Sequence, residues 1–127
     1  MTSYRSGCPI ASALDLVGDR WSLVILRSMV MGATSYSELL SEQERIATNI
    51  LADRLRQLEQ AGLIVRTRAR QGTVPGAYAL TKKGAALIPT LQALARWGET
   101  YIPDRWTPPD RFYAARPDDF RSPAPAP

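Results

Sequence analysis

The sequence predicts a mainly α-helical domain carrying one small β-hairpin, an α+β arrangement. Apolar residues recur at helical spacing along most of the chain before Pro103. The period changes to alternation once, just after Gly62, and Gly, Pro or a capping residue stands at most ends of the periodic stretches. With 127 residues and 45% apolar content the chain suffices for one compact domain around one core.

Taken in order, the first helix is expected from Pro9 to Val17. Proline suits a first helical turn, Gly18 can end the helix, and Ile10, Ala13, Leu14 and Val17 share one face. A second helix, about Arg20 to Met31, is apolar nearly all round and reads as the buried central helix. Ser35 with Glu38 three residues later forms a capping-box pattern that opens a short helix through Leu40. After a charged turn, Ser41 to Arg45, a longer helix is expected from about Ala47 to Gln60. Its stripe is Leu51, Leu55 and Leu58 with Ile50 flanking, and Gly62 stands just past its end.

Residues 63–70 then alternate, with Leu63, Val65, Thr67 and Ala69 on one face and Ile64, Arg66, Arg68 and Arg70 on the other. Tyr78 to Thr81 gives the second strand, and Gln71 to Gly76 the loop between them. Thr81 caps a last helix over about 82–102, which Pro89 is expected to kink or locally unwind. The domain is therefore placed at residues 1–102. Residues 103–127 form a Pro-rich tail, expected to be partly disordered, and its aromatics leave open whether the first half packs as an arm.

Composition narrows the function. There is no histidine and one cysteine, which removes Ser-His-Asp and Cys-His catalysis and His/Cys zinc sites. No Gly-rich phosphate loop occurs, and no carboxylate pair has a spacing that suggests acid–base work. No enzyme, metal or cofactor is expected. No apolar run is long enough to span a membrane and no signal peptide is visible, so a cytoplasmic protein is expected. The net charge is +4, and residues 60–98 hold six basic side chains and no acid. A stretch of one sign projects a field that suits phosphate backbones, although a solvated basic surface would look the same.

Helix, turn, helix and hairpin in this order is the order of a winged helix-turn-helix, whose second helix enters the major groove of double-stranded DNA. With the leucine stripe inward, Asn49, Ala52, Asp53 and Arg56 fall on the outer face. Asn can read adenine and Arg can read guanine or clamp phosphate. Thr48 stands at the helix start, where hydroxyl and free N–H groups meet phosphate. Arg54 lies nearer the core, where a phosphate contact or an internal ion pair suits it better than base reading. Asp53 would accept from a cytosine amino group or orient Arg54 or Arg56. Arg66, Arg68 and Arg70, with Gln71 and Thr73 in the loop, would run along the backbone or dip into the minor groove.

The ordered set Cys8-Pro9-Ile10, Gly18-Asp19-Arg20-Trp21, Tyr36-Ser37-Glu38-Leu39, Ile46 to Leu55, Leu58 to Ile64, Tyr78 to Thr81 and Gly84 to Pro89, ending in Trp97-Gly98, resembles the HxlR-type regulators of the broader MarR-like winged-helix group. The resemblance covers about residues 8–102. It implies a transcriptional regulator, usually a repressor, binding a palindromic operator as a homodimer through its first and last helices. That agrees with the apolar surplus at Ile10, Leu14, Leu87, Leu91, Leu94, Trp97 and Tyr101. The family usually has a Ser-like cap where Ala47 stands, and often Pro-Lys where Thr48-Asn49 stand, so the operator does not carry over. It also places a cysteine at Cys8, which some members use to sense electrophiles or oxidants. A helix N-terminus favours thiolate, and a small residue buried at the dimer seam is the plainer alternative. Two rival readings are a winged-helix protein-interaction module, and a small-molecule sensor with its pocket between the dimer helices near Trp97 and Tyr101.

Overall fold

The computed structural model describes residues 3–67 and 76–120. Among the described residues, seven helices and a two-stranded antiparallel sheet follow in the order α1 (Pro9–Val17), α2 (Ser22–Val30), α3 (Tyr36–Leu40), α4 (Thr48–Gln60), β1 (Ile64–Arg66), β2 (Tyr78–Leu80), α5 (Lys82–Ala85), α6 (Ile88–Tyr101) and α7 (Asp110–Ala114). A short 3-10 turn, Pro117–Asp119, comes last. The mainly helical class with one small sheet is as the sequence predicts.

The core forms where α2 crosses the leucine face of α4 and the inner face of α6. Leu26, Leu51, Leu55, Leu58, Ile64 and Ile88 are fully enclosed. Burying each such side chain is worth about 1.5–3 kcal/mol, so the three leucines of α4 alone fix which way that helix faces. Local chemistry sets the ends of the elements. Ser35 and Glu38 make the reciprocal capping box of α3, and Thr81 Oγ1 accepts from the Gly84 N–H at the start of α5. Gly62 takes φ +79°, the left-handed conformation that lets the chain leave α4 for β1.

The sheet pairs Ile64 with Leu80, Val65 with Ala79 and Arg66 with Tyr78. Its inner end is anchored in the core, while the Tyr78 N–H donates to the Thr34 carbonyl at 2.7 Å, tying the hairpin to the α2–α3 connection. A Cβ on Gly84 would collide with the Leu63 carbonyl oxygen, so α5 can lie against the start of β1 only with glycine there.

Two expectations are refined. The last helix is divided, because Pro89 lacks an N–H and sits in the first turn of a new helix, α6, separated from α5 by Ala86 and Leu87. The chain after Pro103 packs as far as Phe120. Phe112 is in the core, and Gln92 Nε2 lies 3.0, 3.3 and 2.8 Å from the carbonyls of Phe112, Tyr113 and Ala115. The two N–H bonds of one buried amide are thereby spent on strap carbonyls, the longest contact sharing a hydrogen, and this holds the strap along α6.

Candidate nucleic-acid interface

The face opposite the leucine stripe of α4 carries the polar residues expected there. Thr48, Asn49, Ala52 and Arg56 are exposed, and Asp53 and Arg54 are half-buried. Ala47 occupies the N-cap position with no side-chain bond, leaving the amide N–H groups of the first turn of α4 without a hydroxyl or carboxylate cap from that residue. The Tyr36 hydroxyl donates to the Thr48 carbonyl at 2.9 Å, so α3 grips the first turn of α4.

Along that face the charges are paired. Arg56 reaches Asp53 at 2.8 Å, and Gln57 Nε2 donates to the other Asp53 oxygen at 3.1 Å. Asp53 is thus bonded to both Arg56 and Gln57. Arg54 donates to Gln57 Oε1 at 2.8 Å, and its Nε lies 3.5 Å from Asp19, the internal ion pair expected of a residue at the core edge. Asp19 also caps α2, accepting from the Trp21 and Ser22 N–H groups at 3.0 Å. Burial pushes its carboxyl up, but the Ser22 hydroxyl, the two N–H groups and the Arg54 charge outweigh that and hold it below the usual range.

Asp19, Arg20 and Trp21 therefore face Asn49, Asp53, Arg54 and Arg56 across a polar cleft. Arg20, exposed and lying over the Trp21 ring at 5.5 Å, adds a cation that the sequence argument did not assign. The signal was present as Gly18-Asp19-Arg20-Trp21, but nothing local ties it to α4, which lies far along the chain.

Of the hairpin residues, Arg66 is exposed and stacks over its cross-strand partner Tyr78 at 5.3 Å. Ile64, on the same strand face by alternation, is enclosed in the core, so the arginine face begins only beyond it. Arg68, Arg70, Gln71 and Thr73 lie outside the described residues.

On α1, Ile10 is 72% exposed and Leu14 about half exposed; on α6, Trp97 is 57% exposed, Tyr101 69% and Leu94 about half. Trp97 and Tyr101 stack at 5.6 Å. Leu91 departs from the expected dimer stripe: at 6% exposure it belongs to the core of the single chain. Its place between Ile88 and Ala95 turns it toward α2, and Leu87 is likewise packed against that core. Cys8 is exposed, not buried, at the N-cap of α1. The segment before it is folded back by Arg5, which pairs with Asp15 and donates to the Ala11 carbonyl at 3.2 Å.

The HxlR-like helix-turn-helix family model matches residues 16–106. The HTH-type transcriptional regulator YdeP of Bacillus subtilis is 32% identical over 95 residues, 75% of this chain and 74% of YdeP. The crystal structure of PA1607 superposes with a TM-score of 0.73 at 40% identity, over 82% of this chain and 73% of that one. Quinone-bound YodB from Bacillus subtilis superposes with a TM-score of 0.61 at 32% identity, over 74% of this chain and 99% of YodB. The relatives that carry a functional description are transcriptional regulators. The chain is a winged helix-turn-helix protein and belongs to the HxlR-like family of DNA-binding transcriptional regulators.

Proposed function

We propose that this regulator binds a two-fold-symmetric operator as a homodimer, laying α4 of each copy in successive major grooves, and represses the adjacent gene. The observation that carries the reading is α4 itself. Three enclosed leucines fix its inner face, while Asn49 stands exposed beside an uncapped helix start. That arrangement suits base reading by Asn49 and phosphate contact by Thr48, with Arg20, Arg56 and Arg66 as flanking cations. Dimerisation through α1 and α6 is supported by the exposed apolar stripe, which few monomers tolerate. A two-fold axis there would hold the two α4 helices about one DNA turn, roughly 34 Å, apart.

Cys8 is the entry point we assign to an oxidant or electrophile signal. Its exposure supports this, as does likeness to YodB, whose structure contains bound quinone. With no second cysteine in the chain, oxidation would give a mixed disulfide or a bridge between copies.

The test is a binding titration against the intergenic DNA upstream of its own gene, with a random duplex beside it. Tight binding to one palindromic site that weakens steeply with salt, and is lost in Asn49→Ala, supports the reading. Release by a mild thiol oxidant that disappears in Cys8→Ser supports the sensor. Equal weak binding to both duplexes rejects sequence reading and favours a protein-interaction module.

A further inference from the structure

We propose that the cavity between α2, α6 and the C-terminal strap binds a neutral, largely apolar molecule with a hydrogen-bond donor at one end. The site stands apart from DNA reading and from the stacked pair Trp97 and Tyr101, which do not line it.

The cavity measures about 720 Å³, within the range of small-molecule pockets. Leu23 and Val24 of α2, Met31 just past its end, Leu91 and Ala95 of α6, and Phe112 of α7 line it. Trp106 and Pro108 form the remaining wall. An apolar gap of this size between mobile parts would normally collapse. Here the far wall is fastened from behind. Gln92 holds the strap backbone, Arg96 stacks on Tyr113 at 4.7 Å, and the Tyr113 hydroxyl donates to Glu99. Most of that wall, from Thr107 onward, lies past residue 106, where the family match ends. That wall alone lies outside the match, while α2, the α3–α4 turn and α6, which supply the rest of the lining, lie within it.

The polar end selects the ligand. Arg27 grips Glu44 with two bonds, at 2.7 and 3.0 Å, and Glu42 lies 3.8 Å from Arg27. The Arg27 side chain bonded to Glu44 holds that carboxyl below its usual range, so the pair stays ionised and mutually neutral. Arg105 on the strap offsets Glu42, leaving the lining without net charge. An ion of either sign would lose its water among apolar walls and meet a like charge in the lining beside any opposite one. A neutral molecule would not, and the Glu42 carboxylate, at the longer distance from Arg27, offers it an acceptor. Glu42 and Glu44 also belong to the turn joining α3 to α4. An occupant therefore touches the segment that sets the angle of the reading helix.

The test uses the full chain and 1-aminoanthracene, a neutral aromatic amine whose fluorescence rises on leaving water. Saturable binding at one site per chain is expected. Ala95→Trp, which fills the cavity, should weaken it by about tenfold or more, and Glu42→Ala by about threefold. Leu23→Trp repeats the filling test from the opposite wall if Ala95→Trp does not fold, as judged by its melting curve. Asn49→Ala should bind the dye normally, which separates this site from DNA reading. Absence of saturable binding, binding that survives both filling variants, or binding lost instead in Trp97→Ala would overturn the proposal.

Discussion

Helices α4 and α6 are nearly equal in length, 13 and 14 residues, and each buries one apolar side in the same core. Their outer sides differ in kind. That of α4 is polar, with Arg56 bonded to Asp53 and Arg54 to Gln57. That of α6 presents Leu94, Trp97 and Tyr101 to solvent. Burial of the inner side explains the fold of both helices. In the proposed reading, only the outer side distinguishes a surface suited to a hydrated polyanion from one suited to another protein surface. A residue's distance from the core face is therefore what separates a stability effect from a functional one here.

The largest expected effect lies on the inner side. Leu51→Ala, at a position with no solvent exposure, should cost about 2–5 kcal/mol of unfolding free energy, read by urea denaturation. Trp97→Glu on the outer side of α6 should leave the fold of the single chain intact and weaken self-association by about 2 kcal/mol or more, read by sedimentation. If both substitutions unfolded the chain alike, the division between the two faces would fail. Asn49→Ala should reduce operator affinity by about 1–3 kcal/mol with the melting temperature unchanged. A loss of stability instead would move Asn49 to the structural side.

The smallest effect is electrostatic. Glu44 is held below its ordinary value of 4.5, first by the Arg27 hydrogen bond. A carboxyl with a depressed folded-state pKa contributes stability that is present above its unfolded value and lost as pH falls through the folded one. Stability should therefore decline from neutral pH as the medium drops below about 4.5. Glu44→Gln should show a shallower decline in urea midpoints measured across that window; an equal slope would mean that other carboxylates account for it.

Local features were legible in the sequence. The capping box at Ser35, the Thr81 cap, the exit at Gly62 and the leucine period of α4 each depend on residues a few positions apart. What depends on distant partners was not. Leu91 shares the helical spacing of the exposed stripe, and only the placement of α2 decides that it turns inward. The strap has the composition of a tail, yet one buried Gln92 supplies the bond that its backbone needs. Asp19 and Arg54 meet across the helix-turn-helix with no local pattern linking them.

The most direct measurement is native mass spectrometry of the protein on a duplex from upstream of its own gene. Two chains per duplex are expected for the wild type, with Trp97→Glu reduced to one weakly held chain and Asn49→Ala still dimeric but unbound. One chain per duplex at full affinity, or equal loading of a random duplex, would contradict the assignment of α6 to the partner and α4 to DNA.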